Sequence, residues 1–102
     1  MTESTRRIVA AIRAIPPGKV SGYRDVALAA GIPNGARQVA WTLHSLAESQ
    51  KLPWHRVIKA CGRLALARGD GRELQTALLR AEGVEVSGDG EVDMARYGFT
   101  SV

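Results

Sequence analysis

Trp54-His55-Arg56 places an indole, an imidazole and a guanidinium in succession, directly after Pro53 and before the apolar pair Val57-Ile58. Proline presets its own φ and restrains Leu52, so Trp54 and His55 leave the chain in a definite direction, in a loop that enters a strand. An indole stacks and donates one N–H but offers no nucleophile. An arginine fork suits phosphates and the faces of bases. The plain alternative is that Trp54 is a core aromatic and His55 a structural histidine held by a hydrogen bond. The single cysteine, Cys61, excludes an internal disulfide and a cysteine-rich zinc site. With only His44 and His55 as further ligands, neither a metal centre nor a cofactor is expected.

The scaffold that must hold these groups is small. A chain of 102 residues builds one domain, 1–102, with a single core. Its 45% hydrophobic and 24% charged residues are those of an ordinary globular protein. No apolar run suits a membrane span and Met1-Thr2-Glu3-Ser4-Thr5 has no signal-peptide shape, so a cytoplasmic protein is expected, without a membrane partner. A net charge of +4 permits a polyanionic partner. Arginine supplies most of the basic residues, which favours contact with phosphates and bases over a merely solvated surface.

Ile8, Val9, Ile12 and Ile15 recur at helical spacing over 2–15, and Pro16-Pro17-Gly18 stops that helix. Ser21 is the expected cap of a second helix running to Gly31. A third helix is expected from about Asn34 to Glu48, which completes a helix-turn-helix pattern. On a wheel, Ala36, Val39, Ala40, Leu43, Leu46 and Ala47 gather on one side, and Arg37, Gln38, Trp41, His44, Ser45 and Glu48 on the other. Trp41 on that polar side either contacts a partner or covers a neighbouring loop. A hairpin of 57–60 with 63–66 around Cys61-Gly62 would be the wing of a winged helix. Asp70 and Glu73 have capping-box spacing before a helix over 71–82, with Leu74, Ala77, Leu78 and Ala81 as its apolar side and Gly83 as its stop. A second hairpin is expected from 84–86 and 91–94.

Pro53-Trp54-His55-Arg56-Val57 resembles the Pro-Cys-His-Arg-Val motif of the O6-alkylguanine-DNA alkyltransferases, with tryptophan at the place of the acceptor cysteine, as in alkyltransferase-like proteins. Gly18-Lys19-Val20-Ser21-Gly22-Tyr23, Ala36-Arg37-Gln38-Val39 and Leu78-Leu79-Arg80-Ala81-Glu82-Gly83 resemble further stretches of that family in the same order. The resemblance implies an α+β winged helix-turn-helix that docks its recognition helix in the minor groove. It implies that Tyr23 presses on the phosphate 3′ to the damaged nucleotide and that Arg37 fills the stack left by the flipped base. Trp54, His55, Val57 and Arg68 would join Tyr23 around the lesion, with the carbonyls of Trp54 and Val57 accepting hydrogen bonds from guanine. Arg68 would set a cation against the alkylated base. Ser21, Gln38 and Trp41 would contact DNA, and His55 would pair with Glu82 as a structural hydrogen bond.

The function implied is a non-enzymatic sensor, a monomer, that binds O6-alkylguanine in double-stranded DNA and flags it for nucleotide excision repair proteins. Two alternatives stand beside it: an alkyltransferase that uses Cys61, and a winged-helix transcription regulator.

Overall fold

The computed structural model describes residues 1–100. Ile8, Val9 and Ile12 drive the first helix, α1 (Glu3–Arg13), and are buried together with Ile15 beyond its end. Thr2 caps it, its hydroxyl accepting the Thr5 N–H at 3.2 Å.

The next turn departs from expectation. Ser21 and Gly22 form a short strand, β1, parallel to β2 (Val57–Ile58), with Ser21 opposite Val57 and Gly22 opposite Ile58. The residue that opens α2 (Tyr23–Ala29) is therefore Gly22, and no side chain caps it. Pairing with a distant strand satisfies the backbone that a serine cap would otherwise serve. A Cβ on Gly22 would lie 2.9 Å from Ala60 Cα, so glycine is what lets the two segments approach.

A turn with Gly31 at φ 74° and Asn34 at φ 61° leads from α2 to α3 (Ala36–Leu46). These two helices and α1 enclose one core, with Ile8, Ile12, Val26, Val39, Leu52 and Val57 among its buried members. The buried stripe of α3 is narrower than the wheel suggested. Val39 and Thr42 are buried, Leu43 and Leu46 flank them, and Ala40 is exposed. Thr42 fits inside because its hydroxyl donates to the Gln38 carbonyl at 2.8 Å.

Both expected hairpin turns close, at Cys61-Gly62 and at Ser87–Gly90, but their strands join each other in a single composite wing. The Lys59 N–H donates to the Arg63 carbonyl at 2.9 Å and closes a tight turn at Cys61-Gly62. Arg63 then bridges antiparallel to Glu91, while Leu64 N–H reaches the Gly90 carbonyl and Val92 N–H the Gly62 carbonyl. The turn over Ser87–Gly90 is closed by Ser87 N–H on the Glu91 carbonyl at 3.0 Å. Burial decides this pairing: Leu64, Val84, Val86 and Val92 share a second core with Val20, Ile58, Leu79 and Tyr97.

Between the wing strands runs α4 (Arg72–Ala81), opened by Gly71 at φ 111° rather than by Asp70. The Glu73 carboxylate accepts the Gly69 N–H at 3.0 Å while the Asp70 N–H donates to the Ala67 carbonyl, so the expected capping box of Asp70 and Glu73 does not form. Its buried residues are Gln75 and Leu79, while Leu74, Ala77 and Ala81 are exposed. The helix is thus rotated by about 100°, one residue, from the face expected of its apolar residues. The short α5 (Met94–Tyr97) returns the chain to β1, where Val20 N–H donates to Tyr97 O at 2.9 Å and Phe99 N–H to Val20 O at 2.7 Å. The architecture is α+β, a winged helix-turn-helix.

Candidate nucleic-acid interface

Trp54, His55 and Arg56 form one 3₁₀ turn immediately before β2. Glu82, at the end of α4, gathers the donors that hold this turn. Arg56 donates to the Glu82 carboxylate from Nη2 at 2.6 Å and from Nε at 3.0 Å, while its Nη1 reaches the Ile15 carbonyl at 2.9 Å. His55 Nε2 lies 2.8 Å from Glu82 Oε2, and Gly18 N–H donates to Oε1 at 3.2 Å. The Arg56 guanidinium, followed by the hydrogen bonds of His55 and Gly18, holds the Glu82 carboxyl at about 2 against the pull of desolvation. An ionised carboxylate only accepts, so His55 Nε2 carries the proton.

Gln75 pins the same turn from its other side. Buried to 2% exposure, it donates from Nε2 to the carbonyls of His55 at 3.1 Å and Val57 at 3.3 Å. Among the described residues its Oε1, also buried, has no partner.

The turn so fixed presents Trp54 to an open cavity of about 650 Å³. Tyr23 from α2, Ala40, Leu43 and His44 from α3, Leu66 from the wing, and Val57 and Gln75 line it as well. This lies within the range of small-ligand pockets, and the mixture of apolar walls with a few polar groups suits a planar heterocycle. Burial pushes the Tyr23 hydroxyl up from its ordinary value, so it stays a protonated donor at neutral pH.

Tyr23, Trp54 and Val57 thus come together as expected. His55 stands behind the wall, its ring edge-on to Trp54 at 6.2 Å and its Nε2 committed to Glu82. The carbonyls assigned to guanine already accept one bond each, Val57 O from Gln75 and Trp54 O from Val57 N–H, and each keeps a second lone pair. Arg37, Gln38 and Trp41 line up on the exposed side of α3, and Trp41 is 58% exposed. Two assignments change. Ser21 is buried in β1 and presents no surface to DNA, because its strand is covered by neighbouring elements. Arg68 is absent from the cavity wall and lines a second concavity, since the turn with Gly69 at φ 85° and Gly71 at φ 111° directs the chain there. Cys61 is exposed and outside the cavity lining.

Gln75 is the site residue that sequence reading missed. A signal existed: it stands at i, i+4 and i+7 with Leu79 and Glu82, so a helix that turns Glu82 inward toward His55 turns Gln75 inward too.

The exposed face of α3 with its arginine and tryptophan, a wing, and an aromatic-walled cavity beside that helix define a winged-helix domain of the DNA-alkyltransferase type. Residues 3–84 match the family described as 6-O-methylguanine DNA methyltransferase, DNA binding domain, and the chain belongs to that family. It is 47% identical over 92 residues to a DNA base-flipping protein of Escherichia coli (strain K12), covering 90% of this chain and 70% of that one. It is 37% identical over 87 residues to alkyltransferase-like protein 1 of Schizosaccharomyces pombe, covering 84% and 81%. Among solved structures, the S. pombe alkyltransferase-like protein in complex with damaged DNA containing O6-carboxymethylguanine superposes with a TM-score of 0.87 at 32% identity, over 98% of this chain and 97% of that one. The Mycobacterium tuberculosis alkyltransferase in complex with DNA matches over 81% of this chain and 50% of its own length, with a TM-score of 0.68 at 32% identity.

Proposed function

We propose that this protein is a non-enzymatic sensor of O6-alkylguanine in duplex DNA. Its α3 enters the minor groove, the damaged nucleotide rotates out of the stack, and the base lodges against Trp54. Extrusion costs a few kcal/mol. Stacking on an indole returns about 1–3 kcal/mol. Arg37, exposed in the first turn of α3, fills the vacated step with its planar guanidinium, and Tyr23 holds the rotated phosphate. Gln38 and Trp41, on the same exposed side, contact the groove. His55 and Glu82 position the pocket and move no proton. The sensor acts in the cytoplasm as a single-domain monomer and hands the marked lesion to nucleotide excision repair proteins.

The observation that carries the reading is that the cavity wall holds the Trp54 indole and no thiol, while the chain's one cysteine, Cys61, is exposed elsewhere. Alkyl transfer needs a thiolate beside the lesion. The second reading, an alkyltransferase working through Cys61, rests on the exposure of that thiol. Incubation of excess protein with duplex carrying a labelled O6-methyl group separates the two. The label is expected to stay on the DNA; label recovered on the protein would establish an enzyme.

A further inference from the structure

The second concavity, about 400 Å³, opens on the outer face of α4 and takes no part in the lesion cavity. Arg68, Arg72 and Arg80 line it. Two of these guanidiniums are held in place through one N–H each, Arg72 Nε on the Leu66 carbonyl at 2.9 Å and Arg80 Nη2 on the Val86 carbonyl at 2.6 Å. Among the described residues none of the three has a carboxylate oxygen within 4.0 Å. The one acidic side chain in the lining, Glu73, turns its carboxylate to the Gly69 N–H. The lining also contains Gly88, which faces open space and leaves room for a ligand backbone, and Gly90, against which the Arg72 guanidinium packs.

We propose that this concavity docks an acidic segment of a protein partner. Forked guanidiniums with free N–H groups match carboxylates in pairs, and anchoring two of them in advance lowers the ordering cost of binding. A protein segment fits better than nucleic acid because the concavity opens on the side of α4 away from Gln75, the α4 residue that lines the lesion cavity, so a duplex laid along α3 leaves it open. The inference goes beyond the lesion-sensor reading and stands on separate residues.

The test is a fluorescence-anisotropy titration of a fluorescein-labelled Glu-Gly repeat peptide against the full chain, with and without saturating duplex. An Arg68→Glu/Arg80→Glu variant is compared with Arg6→Glu/Lys59→Glu, which changes net charge equally at exposed sites elsewhere. The expected result is a loss of roughly tenfold or more for the first variant and little change for the second, since reversal at the site replaces attraction by repulsion. Peptide bound to the parent protein should survive addition of duplex. Equal losses in both variants, or displacement of the peptide by duplex, would overturn the proposal. Amide shifts of the parent protein keep the test independent of variant folding: peptide should move the Gly88 and Gly90 resonances, and movement confined to α3 would also overturn it. Failure of the lesion reading would appear separately, as equal affinity of the parent protein for methylated and unmethylated duplexes without peptide.

Discussion

Replacing Glu82 by glutamine should remove an acid-sensitive part of the protein's stability. The native carboxyl sits at about 2 against an ordinary 4.5, chiefly because Arg56 donates to it. A depressed carboxyl stabilises the fold fully above its unfolded value and loses that contribution as pH falls through the folded one. The window is therefore pH 4.5 down to about 2. At face value the difference corresponds to about 3 kcal/mol. The side chain is 18% exposed, and water at that edge screens the pair, so roughly 1–2 kcal/mol is the expected contribution. Urea unfolding of parent and Glu82→Gln across pH 2 to 7 reads it directly. Near neutral pH the variant should be less stable by about 2–3 kcal/mol, somewhat below the cost of breaking a fully buried pair. The gap should narrow by about 1–2 kcal/mol as pH falls through the window, because protonation costs the parent alone. Stability curves that stay parallel from pH 5 to 2 would refute the role given to Glu82.

Gln75→Glu should cost roughly 2–4 kcal/mol at neutral pH, because a carboxylate would face the His55 and Val57 carbonyls with no proton to donate. Its own carboxyl would be pushed up, so stability should recover in acid; a variant insensitive to pH would contradict the placement of Gln75. Gly22→Ala should lose about 1–3 kcal/mol in thermal or urea unfolding, since its Cβ would meet Ala60 Cα at 2.9 Å; an unchanged midpoint would mean the two segments are further apart. Arg37→Ala should leave unfolding within about 0.5 kcal/mol of the parent, as expected of an exposed side chain, while weakening binding to lesion-bearing duplex about tenfold or more; equal binding would remove the stack-filling role.

Local signals carried the helices well. The α1 stripe of isoleucine and valine is buried as its spacing indicates, and Gly83 closes α4 at φ 88°. Resemblance placed Tyr23, Trp54 and Val57 around a common space and paired His55 with Glu82. What escaped depends on partners far along the chain. Ser21 looks like a helix cap until Val57 pairs with it, and Arg63, besides closing the turn on Lys59, bridges to the distant Glu91 because the valines of the second core must be covered together. The facing of α4 escaped for a related reason. Leu74 and Ala77 are the more apolar choice for an inner side, yet Gln75 goes inside because two backbone carbonyls of the 3₁₀ turn receive its amide. Residues 97–99 carry no pattern of their own, and the backbone of Val20 together with the two cores that take Tyr97 and Phe99 gives them a place.

The lesion-sensor account is tested most directly by titrating the protein against two duplexes of one sequence, one with a single O6-methylguanine, by fluorescence anisotropy at fixed salt, since phosphate contacts make affinity salt-dependent. The account predicts clearly tighter binding to the modified duplex, reduced to parity by Trp54→Ala. Equal affinity of the parent protein for both duplexes would contradict it and would leave the cavity beside Trp54 without a base to hold.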